Sequence, residues 1–173
     1  GGNDPGNLNG EDGMAQEKAL TLKISNAVGE YLESNMQNVK IIYTRSDDKY
    51  VSLNDRVYIA NSNNADYFIS IHCNSNPNRN VRGTETHIHD NSSTTSRALA
   101  QEIENQFKER AKRKSRGVKT KHDRHMNFQL LWQTKMPTIL VECGFISNVE
   151  EEKYLNSEKG QGIISSAIYR GIR

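Results

Sequence analysis

The stretch that most constrains the fold is residues 67–74, which read Tyr-Phe-Ile-Ser-Ile-His-Cys-Asn. Its apolar and β-branched content, after the turn-like residues 61–64, predicts a strand buried on both faces of a parallel or mixed sheet. Because side chains alternate along a strand, His72 and Asn74 share one face. In open α/β sheets ligands bind at the carboxyl ends of strands, so these two side chains are candidate site residues.

A second buried run repeats this arrangement near the carboxyl end of the chain. Residues 138–141 read Thr-Ile-Leu-Val and lead into Glu142. A glutamate that follows a buried strand is rarely enclosed without a partner. A histidine and a glutamate, each at a strand end, are the parts of a hydrolytic metal site. A hydrogen-bonded interior histidine is the plain alternative for His72.

The two cysteines of the chain, Cys73 and Cys143, each directly follow one of these polar residues. Alternation turns them to the opposite face of the sheet, where we expect buried thiols rather than metal ligands. Two cysteines do not make a disulfide framework.

The remaining periodicity alternates helices with strands. This order predicts an α/β fold in one domain, with a mixed, largely parallel sheet flanked by helices. The apolar spacing predicts helices at 17–35, 53–60, from about 96 to 112, from about 149, and at 162–172. Further strands are predicted at 39–44 and 83–89, while 126–132 fits either a strand or a short helix.

Composition excludes several classes of function. Charged residues make up 25% of the 173 residues and the formal net charge is only +2. We therefore expect no nucleic-acid binding by electrostatic field alone. No apolar run approaches the length of a bilayer span, so we expect no membrane insertion.

The basic run 108–121 and four histidines also bear on function. The run could touch an anionic polymer, but a solvated helix C-terminus explains its charges more simply. His87 and His89 share a predicted strand face and could form a metal pair, although half-exposed sheet residues are the expectation. His122 and His125 fall in a polar loop and are expected to be solvated.

Glu17 stands where an irregular segment enters the first predicted helix. Alone, it is most simply a first-turn carboxylate favoured by the helix dipole. Zinc hydrolysis needs about three protein ligands, an open position for water and a nearby carboxylate base. Glu17, His72 and Glu142 are the residues that could supply such a set.

Eight short motifs recur in order along the whole chain. They are Gly1-Gly2-Asn3-Asp4-Pro5-Gly6, Glu17-Lys18, Thr44-Arg45, Leu53-Asn54-Asp55-Arg56, Ala60-Asn61, Ser70-Ile71-His72-Cys73-Asn74, Gly83-Thr84-Glu85 and Val141-Glu142-Cys143-Gly144-Phe145-Ile146-Ser147-Asn148. Together they resemble one known family, the zinc-dependent N-acetylmuramoyl-L-alanine amidases of bacterial cell-wall turnover.

The resemblance implies hydrolysis of the amide between N-acetylmuramic acid and the L-alanine of the stem peptide. It implies that Glu17 and His72 are zinc ligands and that Glu142 is the catalytic glutamate. Asn74 could orient a ligand or the substrate, although a turn-forming role suits it as well. Glu85 matches a family position without an assigned task. The expected partner is peptidoglycan, in the periplasm or the cell wall, and the expected state is a monomer.

The family's first zinc ligand is a histidine directly before the Gly-Gly pair that appears here as Gly1-Gly2. We therefore expect residues 1–173 to be an amidase catalytic domain whose first strand and first ligand lie upstream of Gly1. The alternatives are a metal-free peptidoglycan-binding module and a zinc peptidase on the same scaffold.

Overall fold

The computed structural model of the protein describes residues 1–6, 16–124 and 128–173. Its elements, in chain order, are α1 Glu17–Asn35, α2 Leu53–Ser62, β1 Phe68–Asn74, β2 Thr84–His87, α3 Thr94–Glu109, β3 Ser115–Lys119, α4 Lys121–Arg124, α5 Gln129–Gln133, β4 Thr138–Phe145, α6 Val149–Asn156 and α7 Glu158–Ile172.

The four strands form one open mixed sheet in the order β1-β4-β2-β3. The β1–β4 and β2–β3 pairs are parallel, and the β2–β4 pair is antiparallel. This arrangement confirms the predicted α/β class with a largely parallel sheet. Strand β4 is buried along its whole length because it has a strand on each side and helices against it. Its apolar run is what such a central strand requires.

The core lies between the sheet and the helices α1, α3 and α7. Helix α7 packs against both α1 and α3. The predicted stripe of α1 is buried at Leu20, Ile24, Val28 and Leu32, and each such side chain contributes roughly 1.5–3 kcal/mol. Cys73 and Cys143 are fully buried free thiols on this side of the sheet, as predicted. Burial raises the pKa of both thiols.

Two sequence predictions about the β1 edge of the sheet are wrong. Residues 39–44, predicted as a strand, do not form one: among the described residues, no strand is hydrogen-bonded to them. Strand β1 is half-buried rather than buried on both faces, because it forms one edge of the sheet.

A groove separates β1 from residues 39–45 and encloses about 950 Å³. We call it the edge groove. Its walls include Val28 of α1, Ile41 and Ile71, and it reaches Glu17 and His72. An edge strand such as β1 presents unpaired backbone N–H and C=O groups along its free side.

The basic run also folds differently from the prediction. Helix α3 ends at Glu109, and Ser115–Lys119 form the edge strand β3 instead of a solvated helix end. The Ser115 hydroxyl donates to the buried Glu104 of α3 at 2.5 Å, which ties this polar segment to the sheet. In helix α3, Ala98 is exposed and Ala100 is buried.

The carboxyl-terminal part of the chain follows the predicted pattern with small shifts. The ambiguous segment 126–132 contributes the short helix α5, while its residues 126 and 127 lie outside the described part of the chain. Asn148 caps α6 by accepting from the Glu151 backbone N–H at 3.1 Å. None of the helices in the described ranges has the length and apolar content that crossing a bilayer requires.

Candidate active site

Three polar side chains form a row across neighbouring strands. His72 of β1 is paired with Glu142 of β4, and Glu142 is paired with Glu85 of β2. Directly paired residues project from the same face of a sheet, so the three side chains lie side by side. Glu142 and Glu85 are 6% and 2% exposed. We call this set the acidic row.

Glu17 reaches one end of the acidic row from the first turn of α1. Its Oε1 accepts from His72 Nδ1 at 2.9 Å and from the Cys73 backbone N–H at 3.3 Å. Gly6 makes this approach possible: a Cβ there would lie 2.5 Å from Glu17 Oε2, and its φ of +71° favours glycine. The structure therefore brings together three of the predicted site residues, Glu17, His72 and Glu142.

The carboxylates change the titration of His72. Burial is the largest influence and lowers its pKa, but the hydrogen bond to Glu17 and the charges of Glu142 and Glu17 together raise it above the ordinary value. Glu17 and Glu142 therefore favour the charged imidazolium form of His72 when no metal competes for the ring nitrogen.

Glu17 and His72 have the chemistry of two zinc ligands. Ligand atoms about 2.1 Å from a tetrahedral zinc ion are about 3.4 Å apart, close to the 2.9 Å between Oε1 and Nδ1. Ser70 Oγ lies 2.9 Å from His72 Nε2. A proton held on Nε2 by Ser70 would leave the Nδ1 lone pair for a metal, as in most histidine–metal sites. Within the described residues, no group of three His, Cys, Asp or Glu side chains is close enough to hold a metal ion.

Asn74 and Arg116 hold Glu85 at the other end of the row. Asn74 Nδ2 donates to Glu85 Oε1 at 2.6 Å, and Arg116 Nε donates to Oε2 at 3.0 Å. Asn74 Oδ1 accepts from the Ser75 backbone N–H. The Asn74 amide, for which we considered either orienting a ligand or substrate or forming a turn, contacts Glu85 and the next backbone N–H in this structure.

Sequence reasoning gave Glu85 no task and did not single out Arg116. The alternation in residues 83–87 could have placed Glu85 on the same face as Glu142. Arg116 lies in a run of basic residues. The sequence of this run has no apolar alternation that would predict a strand.

The prediction that His87 is half-exposed is wrong, because the residue is 1% exposed. It lies on an interior strand, and Phe128 covers its ring edge-on at 5.3 Å between centroids. His89 is half-buried, as expected, and His122 is exposed. His125 lies outside the described residues.

Fold and site define a mixed α/β domain with imidazole and carboxylate groups at the carboxyl ends of its parallel strands β1 and β4. Over residues 1–173 the sequence matches the family described as N-acetylmuramoyl-L-alanine amidase, and the chain belongs to that family. The resemblance seen in the sequence is thereby confirmed.

Relatives agree with this assignment. The chain is 35% identical over 157 residues to a sporulation-specific N-acetylmuramoyl-L-alanine amidase of Bacillus subtilis, covering 91% of this chain and 57% of that protein. It is 32% identical over 173 residues to the probable cell wall amidase LytH of Staphylococcus epidermidis, covering 100% of this chain and 54% of that protein. The chain thus spans little more than half the length of these two relatives.

Among solved structures, an N-acetylmuramoyl-L-alanine amidase from Clostridium difficile 630 is similar. It superposes with a TM-score of 0.91 at 33% identity, covering 99% of this chain and 89% of that one. The architecture of the family is therefore present across the chain.

Proposed function

We propose that the protein is a zinc-dependent hydrolase that cleaves the amide between N-acetylmuramic acid and the L-alanine of the peptidoglycan stem peptide. The observation that carries this proposal is the acidic row, with Glu17 in contact with His72 and Glu142 paired beside it. Glu17 and His72 would hold the zinc ion, and Glu142 would act as the general base. We place the activity at the cell wall, outside the cytoplasmic membrane, which the name of the LytH relative supports.

The residues of the chain have defined parts in this reaction. A bound zinc ion would supply the polarisation of the scissile carbonyl and of the attacking water. Glu142 would accept the proton of that water as its oxygen bonds to the carbonyl carbon. It would then deliver the proton to the alanine nitrogen as the C–N bond breaks. The products are the lactyl carboxylic acid and a stem peptide with a free amine.

Zinc in a catalytic site usually has three protein ligands, and Glu17 and His72 supply two. We propose that a β-strand of the full-length protein fills the edge groove and that a histidine directly before Gly1 is the third ligand. The groove supports this, since it lies between the edge strand β1 and residues 39–45 and reaches both Glu17 and His72. Residues 1–173 would then make up an amidase catalytic domain together with that strand.

The replacement Glu142→Gln tests the proposed mechanism. We expect hydrolysis to fall by at least about a hundredfold, because the base is lost, while zinc content stays near that of the parent. The measurement is turnover of purified muropeptides by the full-length protein, with metal analysis of the same samples. Mass spectrometry of the products separates an amidase, which leaves a free L-alanine amine, from a peptidase that cuts within the stem.

His72→Ala is the matched contrast, because it removes a ligand and should lower zinc content and turnover together. Turnover of Glu142→Gln within a few-fold of the parent would exclude Glu142 as the base. Muropeptide binding without any hydrolysis by the zinc-loaded parent would favour the peptidoglycan-binding module instead.

A further inference from the structure

Arg116 lies at the end of the acidic row opposite Glu17. Its Nε donates to the buried Glu85 at 3.0 Å, and its guanidinium carbon lies 5.2 Å from the centre of the Phe145 ring. The Arg116 side chain is 34% exposed, whereas that of Glu85 is 2% exposed. The guanidinium is thus fixed on its inner side and accessible to solvent on its outer side.

The backbone of β3 determines the direction of this side chain. Thr84 pairs with Ser115 and Thr86 with Val118, so that Arg116 and Gly117 both face the single residue Glu85. This is a β-bulge, and Gly117 adopts the φ of +80° that it requires. Ser115 bonds to Glu104 on the helix-covered face. Alternation therefore turns Arg116 to the face of the acidic row.

Arg116 has hydrogen-bonding capacity beyond its contact with Glu85. A guanidinium carries five N–H donors, and Nε uses one of them. Within the described part of the chain, neither Nη group donates a hydrogen bond to a protein acceptor. The two Nη groups form the end of a planar fork that matches a carboxylate in bidentate geometry.

The charges nearby decide which ligand suits this fork. The carboxylates of Glu17, Glu85 and Glu142 repel an anionic ligand along most of the row. The positive charge of Arg116 attracts an anion at the end of the row next to Glu85. Phe145 belongs to β4, and the contact with its ring brings the guanidinium back towards the strand that carries Glu142.

We propose that Arg116 binds a free carboxylate of the stem peptide on the leaving-group side of the scissile amide. This inference rests on the proposed amidase function. The first free carboxylate after L-alanine belongs to the γ-linked glutamate, about two residues or ~7 Å along an extended chain. Amidation of that group to isoglutamine removes the charge, so Arg116 would make the enzyme sensitive to this chemical difference between cell walls.

The test compares two probes whose glutamate γ-carboxyl is blocked as a methylamide, N-acetylmuramoyl-L-alanyl-D-glutamate γ-methylamide and its D-isoglutamine counterpart, so that only the first carries a free carboxylate on the peptide. Both kcat/KM and KM are measured for the zinc-loaded full-length protein, and Kd is measured in the Glu142→Gln background. We expect the parent to prefer the free acid by about ten- to hundredfold, the range of one charge-assisted bidentate contact. Arg116→Gln should lose this preference, mainly through KM, and cleave the isoglutamine probe within about threefold of the parent.

Two further variants separate recognition from a structural role. Arg116→Lys keeps the charge without the fork and should retain a smaller preference for the free acid. Arg82→Gln is the control, since Arg82 is 58% exposed and pairs at 3.4 Å with Glu150 of α6. It should discriminate like the parent.

A parent that treats the two probes alike would overturn the inference. Equal loss on both probes in Arg116→Gln would also overturn it and would assign Arg116 to holding Glu85. If Arg116→Gln does not fold, the parent and Arg116→Lys decide. Absence of cleavage of both probes would instead count against the amidase function, while the Kd values would still test the carboxylate contact.

Discussion

His87 is a buried imidazole whose protonation the fold opposes. Burial, with the nearby positive groups His72 and Lys119, lowers its pKa to about 4. The negative groups Glu104 and Asp123 act in the opposite direction but do not outweigh burial. Glu85 also faces the ring, with its Oε1 3.8 Å from His87 Nε2. The folded protein therefore keeps this histidine neutral at pH values where an unfolded chain, with a pKa near 6.5, protonates it.

This difference makes acid stability depend on His87. The contribution is fully present above about pH 6.5 and is lost as the pH falls towards about 4, because only the unfolded chain takes up the proton in that interval. Between pH 6.5 and pH 4 we expect the free energy of unfolding to fall by up to about 3 kcal/mol more in the parent than in His87→Gln. Urea unfolding at a series of pH values measures this difference.

His122→Gln is the control for replacing a surface histidine, since this side chain is 80% exposed. Parallel stability curves for the parent and His87→Gln would contradict the assignment of the acid sensitivity to His87.

At the scale of single residues, sequence reasoning identified polar groups at strand ends but not their surroundings. Glu17 and His72 are 55 positions apart, and only the folded α1 brings Oε1 to Nδ1. The burial of His87 depends on Phe128, which no local pattern connects with it.

Glu151 of helix α6 contacts the last residue of β4, the residue before β2 and the segment before β3. Its carboxylate accepts from the backbone N–H of Phe145 at 2.8 Å and of Gly83 at 3.0 Å. It also pairs with Arg113 at 2.6 Å, just before β3, where both side chains are nearly buried. This arrangement fixes the end of β4 three residues beyond Glu142, so it holds the sheet face on which the acidic row lies.

We expect Glu151→Gln to destabilise the protein by about 3 kcal/mol, because it leaves the charge of Arg113 buried without its partner. Glu150→Gln is the matched control on the same helix. Its side chain is 84% exposed and should change stability by no more than about 0.5 kcal/mol. Denaturant unfolding of the two variants compares them, and equal stability would show that the carboxylate does not hold the strand ends.

At the scale of elements, the sequence predicted helices and strands correctly where the apolar spacing was regular. It failed where pairing with a neighbouring strand determines whether a segment forms a strand. The bounds of α1 follow from its apolar stripe and match the predicted 17–35. Strand β3 has no such pattern: it is specified by β2 and by Glu104, which accepts from Thr84, Thr86 and Ser115. Residues 39–44 show the converse, since β-branched residues alone do not make a strand without a neighbour.

For the whole molecule, the edge groove connects stability with metal binding. A strand that fills it would hydrogen-bond to β1 and cover apolar groups that now line the groove, including Ile41 and Ile71. Its carboxyl end would reach the region of Glu17 and His72 if it leads directly into Gly1. Stability and zinc affinity should therefore depend on the same segment but on different atoms of it.

Three forms of the protein separate these contributions: the full-length chain, a form that begins at Gly1, and the full-length chain with the residue before Gly1 replaced by Ala. We expect the form that begins at Gly1 to bind zinc weakly and to have a lower thermal midpoint, because both the third ligand and the strand are lost. The Ala form should keep the thermal midpoint of metal-free full-length protein but bind zinc weakly, since only the ligand is lost. Calorimetric zinc titration and thermal unfolding, carried out on the three forms side by side, measure both properties.

Tight zinc binding by the form that begins at Gly1 would contradict the proposal. It would mean that residues 1–173 complete the metal site themselves, and the groove would then need another occupant or none.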